Sequence, residues 1–202
     1  GGCTEEEANF LNGRSLMALA SGISHGYGCV LFPEGTSHNN SYMIRFRTGP
    51  MRTVLAASAL AKSTGKELPV LIPMGLHFRT REYFRTDVWV EYGEPIQIED
   101  GDVPQNLVDA VSTGSWSEPP AESVFKLRDK LRDDLVPLSP NTHSWDEYRG
   151  LLLLGHVKGR MEHNPPKSWR AEVEQARSLR NKYNSGPKLM NVDDLQPNKI
   201  TE

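Results

Sequence analysis

Two short aliphatic runs bracket an alanine-rich helical stretch, and that order limits the folds open to the chain. Cys29, Val30, Leu31 and Phe32 run apolar without a break after Gly26 and Gly28, the pattern of a fully buried strand. Residues 49–63 carry Val54, Leu55, Ala59 and Leu60 at helical spacing and stop at Gly65. Residues 68–76 are aliphatic again, interrupted by Pro69 and Pro73, and read as a second buried strand. Residues 87–93 alternate apolar and polar before a turn at Glu94-Pro95, which predicts a third strand, half exposed. Strand, helix, strand in this order predicts an α/β sheet with a right-handed crossover and a site at the carboxyl ends of its strands.

The flanks are helical. Thr4 followed by three glutamates predicts a helix N-terminus, and Phe10, Leu11, Leu16, Met17 and Leu19 continue it to about residue 24. Residues 100–120 shift toward Asp, Pro, Ser and Glu and read as a linker. Beyond it, three amphipathic helices are predicted over residues 123–135, 145–160 and 169–183, with a polar, proline-bearing tail after them. The expected organisation is a sheet domain over 1–100, a linker over 101–120, a helical appendage over 121–185 and a flexible tail over 186–202. Trp116, Trp145 and Trp169 are candidate interface anchors. Lys126, Arg128, Lys130 and Arg132 are interspersed with acids and read as a solvated helix face.

Composition excludes several functions. A net charge of -3 argues against a nucleic-acid partner bound by phosphate neutralisation. Cys3 and Cys29 are the two cysteines, with no CxxC and no histidine at ligand spacing, so neither a disulfide framework nor a metal site is expected. No apolar run reaches the roughly 18 to 20 residues that a membrane-spanning helix needs.

The chemistry concentrates after the first aliphatic run. In Pro33-Glu34-Gly35-Thr36-Ser37-His38, the glycine allows close backbone approach to a ligand. The two hydroxyls donate, and the carboxylate accepts from a polyol. The same residues also suit a plain turn with a capping threonine. Arg45 and Arg47 alternate with Ile44 and Phe46, so both guanidiniums leave one side of an extended segment and suit a phosphate, with the next helix N-terminus beside them. Arg52, in the first turn of that helix, is unfavourable unless an anion lies near it.

Phe32-Pro33-Glu34-Gly35-Thr36 resembles the third sequence block of the glycerophospholipid acyltransferases, the glycerol-phosphate and lysophosphatidate acyltransferase superfamily. Leu68-Pro69-Val70-Leu71-Ile72-Pro73-Met74-Gly75 resembles the fourth block, in order and with a helix between. Ser37-His38 in place of the more usual Arg-Ser, then Arg47-Thr48-Gly49, Gly75-Leu76-His77-Phe78, Phe84-Arg85-Thr86-Asp87 and Val90-Glu91-Tyr92-Gly93-Glu94-Pro95-Ile96, resembles one bacterial and fungal branch. Trp145-Asp146-Glu147-Tyr148 is similar to the start of that branch's C-terminal helices.

The resemblance implies an acyltransferase-type sheet with flanking helices. It implies transfer of a fatty acyl group from acyl-CoA or an acyl carrier protein to a hydroxyl of glycerol-3-phosphate or a lysophospholipid, with no metal or redox cofactor. Glu34, Gly35, Thr36, Ser37 and His38 would bind the acceptor, with Arg47 first and Arg45 second for the phosphate, because Ser37 stands where many members carry arginine. The catalytic base of such enzymes is a histidine separated by four residues from an aspartate. No histidine here has that spacing, so the base and the second block are expected upstream of Gly1 and the chain reads as a fragment. The intact protein would be membrane-associated on the cytoplasmic side. A fragment of a sheet would also expose an unpaired edge and tend to associate. The rival reading is a non-catalytic module, a pseudoenzyme or scaffold with a lipid-headgroup pocket.

Overall fold

A computed structural model describes residues 4–185; the tail expected over 186–202 and Cys3 lie outside the described residues. The chain divides into two compact units, residues 4–76 with 90–141, and residues 77–89 with 142–185.

The first unit is organised on helix α2 (Gly49–Ser63). Met51, Leu55, Ala56, Ala57, Ala59 and Ala61 are completely buried, because alanines on several faces let neighbouring helices approach closely. On one side Ala56 and Ala57 meet Ala20 of α1 (Glu5–Ser24), with Trp116 packed beside them. Thr4 opens α1 with a reciprocal capping box to Glu7. On another side Leu55 and Ala59 join Leu107, Val108 and Val111 of α3 (Gln105–Ser112) and the 124, 127, 131, 135 stripe of α4 (Ala121–Leu135).

The expected linker is therefore not one. Residues 100–112 hold a 3-10 turn (Asp100–Asp102) and α3, with Val103 and Val111 fully buried. Three apolar side chains placed on one side of a short helix outweigh a polar surrounding composition. For the same reason the expected appendage does not begin at 121, since α4 completes the first unit's core.

The run from Cys29 to Phe32 departs furthest from expectation. It forms no strand, and Val30 and Phe32 are 64% and 68% exposed. A strand needs a hydrogen-bonded neighbour, and the other extended segments pair among themselves. Leu71 and Ile96 exchange both backbone bonds at 3.1 and 2.8 Å. Strand β1 (Met74–Phe78) pairs antiparallel with β2 (Val88–Tyr92), the two strands found among the described residues. Within these strands, Gly75 and His77 point inward while Leu76, Phe78, Val88, Val90 and Tyr92 are exposed, so the outward side of the hairpin is apolar. The expected crossover from 29–32 into 68–76 is replaced by an unpaired segment and a hairpin.

The second unit comprises the hairpin tip, α5 (Trp145–Met161) and α6 (Trp169–Ser185). The Trp169 indole is buried and donates to the His77 carbonyl at 2.8 Å. His77 is itself buried and stacks on Trp89 at 4.9 Å. Arg79 binds both oxygens of Glu172 at 2.9 and 3.2 Å and lies over the Trp169 ring. Trp145 packs on Tyr148 and under Arg81. Trp145 and Trp169 are thus spent on packing within this unit, and Trp116 on packing within the first. They are not free interface anchors.

Two measurements check this packing. Leu55→Ala, which opens a cavity in the first unit, should cost about 2–5 kcal/mol in denaturant unfolding, whereas Leu153→Ala, at an exposed α5 position, should stay within about 0.5 kcal/mol. Burial pushes the Tyr148 phenol up to about 12, against the pull of Arg177 and Arg180. The unfolded chain releases that proton near the ordinary value of about 10, so folding loses stability as pH rises from there toward 12. Tyr148→Phe should remove the last step of the tyrosinate absorbance titration and flatten the alkaline fall in stability.

Candidate functional site

The loop from Pro33 to Arg47 is closed by its own polar groups. Phe32-Pro33-Glu34-Gly35 makes a turn in which Gly35 N–H donates to the Phe32 carbonyl at 3.1 Å. Arg47 N–H donates to the Pro33 carbonyl at 2.7 Å and ties the far end back. Inside, the Glu34 carboxylate takes two donors on one oxygen: the Ile44 N–H at 2.7 Å and His38 Nε2 at 3.0 Å. Ends held together and polar groups satisfied inward are the features of a compact, preorganised surface loop.

The hydrogen bonds fix the histidine. Asn40 N–H donates to His38 Nδ1 at 3.1 Å, so Nδ1 carries no proton and Nε2–H is the donor to Glu34. Both ring nitrogens are engaged. His38 braces the carboxylate and is not poised as a base. Glu34 Oε1 is likewise committed, which leaves Oε2 for a ligand. The sequence suggested Glu34 as a direct acceptor for a polyol; the geometry adds that half of its carboxylate holds the loop together.

Gly35 has φ +65°, in the left-handed region. A Cβ there would also stand 2.8 Å from Cγ of Arg47, so glycine is required twice, by conformation and by space. Thr36 and Ser37 are exposed beside it. Arg47 is exposed, with its aliphatic stem over Gly35. Arg45 is exposed too, and lines a depression with Arg128 and Arg132 of α4. Of the seven residues expected to form the site, 34 to 38 and 47 are gathered by one loop, while Arg45 is brought to helix α4. Arg128 and Arg132 were read from sequence as part of a solvated face. Their spacing of four placed them on one side of a helix, but nothing local showed what that side meets.

The anion required by Arg52 is a protein group: its guanidinium meets Glu118 at 3.3 Å. Among the described residues no group of histidines, cysteines and acids is placed to hold a metal, and no helix is long and apolar enough to cross a membrane.

Gly35→Ala should lower stability by about 1–3 kcal/mol in denaturant unfolding, through left-handed strain and the Arg47 contact. In a double-mutant cycle, Arg47→Ala should recover the contact portion, with a coupling of about 0.5 kcal/mol or more. Strict additivity would mean that the two residues do not press on each other.

Neither a family model nor a solved structure matches the chain. Over 123 residues, 60% of its length, it is 32% identical to glycerol-3-phosphate O-acyltransferase 2 of Saccharomyces cerevisiae (strain ATCC 204508 / S288c). The chain spans 15% of that yeast protein. That similarity supports an acyltransferase relationship.

Proposed function

We propose that this chain is the acceptor-binding portion of a larger acyltransferase, which moves a fatty acyl group from a thioester to a hydroxyl of glycerol-3-phosphate or a lysophospholipid. The observation that carries the reading is the 32% identity to a glycerol-3-phosphate O-acyltransferase over 60% of the chain. The closed loop at Glu34 agrees with it. A preorganised carboxylate oxygen, a glycine permitting close approach, two exposed hydroxyls and Arg47 suit a small phosphorylated polyol. The acyl chain would come from acyl-CoA or an acyl carrier protein, with no metal required. In this reading a group other than His38, which braces Glu34, activates the acceptor hydroxyl.

The outward side of the hairpin supports a larger assembly. Val70, Ile72, Leu76, Val90 and Tyr92 of the first unit are exposed apolar side chains, as is Val30 in the unpaired segment. Such surface suits burial against further strands and helices, as in the proposed α/β sheet. Membrane association of the full-length protein, on the cytoplasmic side, belongs to the same proposal, because the acylated product is a lipid.

A non-catalytic headgroup-binding module is the second reading, favoured by the engagement of both His38 nitrogens. One experiment separates the two. In the full-length protein containing this chain, glycerol-3-phosphate-dependent acyl transfer is expected, and Glu34→Ala should reduce it about 10²-fold or more by releasing the loop. Full activity of Glu34→Ala would sink the assignment of this loop, and absence of transfer by the full-length wild type favours the binding module.

A further inference from the structure

We propose that the depression between residues 43–46 and helix α4 is a binding site for the phosphate group of a small molecule, built from Arg45, Arg128 and Arg132. The depression has a volume of about 370 Å³ and is lined by these arginines, by Asp129 and by the apolar Met43 and Phe46. That volume lies within the range of small-ligand sites, about 300–1,000 Å³.

Charge is unbalanced there. Asp129 is taken by Arg128, at 2.8 Å from Nε and 2.7 Å from Nη2. Arg45 and Arg132 have no carboxylate partner among the described residues. This excess sits in a chain whose net charge is -3, so it is local and not the edge of a generally basic surface. Arg128 and Arg132 are four residues apart on one helix, a like-charge spacing that costs a few tenths of a kcal/mol unless an anion lies between them.

The site is also preorganised. Arg132 Nη1 donates to the Ile44 carbonyl at 3.0 Å, and its guanidinium lies 5.6 Å from the centre of the Phe46 ring. One N–H is used to hold the fork, and the rest of its donors remain for a ligand. Ile44 also donates its N–H to Glu34, so the backbone of one residue, through the two peptide units that flank its Cα, joins this depression to the Glu34 loop. The arrangement suits a phosphate with a short organic body against Met43 and Phe46. That chemistry occurs both in a phosphorylated polyol and in a nucleotide. The site stands on its own geometry and does not require that the protein transfers acyl groups.

Isothermal titration of the 202-residue chain tests it, with inorganic phosphate, glycerol-3-phosphate and adenosine 3′,5′-bisphosphate as probes. Saturable binding of at least one probe is expected. Arg45→Gln, which removes an exposed group with no bond to lose, and Arg128→Gln should each weaken it about tenfold or more. Arg132→Lys, which keeps the charge but not the fork, should weaken it as well, and Lys130→Gln on the exposed part of α4 should leave it unchanged. Tightest binding of glycerol-3-phosphate identifies a polyol phosphate, and tightest binding of the bisphosphate identifies a nucleotide; either supports the site. No saturable binding, or equal loss in Lys130→Gln, overturns it. Because these titrations read binding alone, they can fail while acyl transfer by the full-length protein stands, and the reverse.

Discussion

One carboxylate oxygen holds the candidate site of this protein in shape. Glu34 Oε1 accepts from the Ile44 backbone and from His38, and through Ile44 it is connected to Arg132 on a helix nearly ninety residues further along. Charged acceptors make stronger hydrogen bonds than neutral ones, and this one is half-buried, where water competes less. The loop's two hydroxyls, its glycine and its arginines have defined positions because this oxygen closes the segment between them. The residue proposed to contact the acceptor is thus also a structural one: Oε1 closes the loop, and the proposed contact falls to Oε2.

Helix α2 carries the loop. Its alanines allow close packing of α1 on one side and α3 with α4 on another, and the loop feeds directly into its first turn. The site therefore stands on the most buried element of its unit. Glu118 compensates Arg52, a cation that the helix start would otherwise oppose.

Local features were legible in the sequence, and long-range ones were not. The helix starts at Thr4 and Trp145, the glycine stop after α2 and the alternation of β2 all depend on neighbours within a few residues. The turn at Gly35 was legible for the same reason, but the closure of the loop by Glu34 on Ile44 and by Arg47 on Pro33 spans ten residues or more and was not. The aliphatic run from Cys29 was read as a buried strand because pattern reports what a segment is suited to, not whether a neighbour is present to pair with it. The polar composition around α3 hid three core side chains. The Arg128 and Arg132 side of α4 looked solvated because its partner, the 43–46 segment, lies far away in sequence.

The hairpin of β1 and β2 has an energetic peculiarity. In most half-buried hairpins a one-residue slip is punished because it turns the apolar side chains to water. Here Leu76, Phe78, Val88, Val90 and Tyr92 already face outward, so that penalty is absent or reversed. Alignment of the two strands is instead enforced by the stacking of buried His77 on Trp89, by the Gly93 N–H on the Pro73 carbonyl and by Arg79, whose backbone and side chain both bind Asp87. Those few contacts fix by geometry a pairing that the burial of aliphatic side chains would leave free to slide.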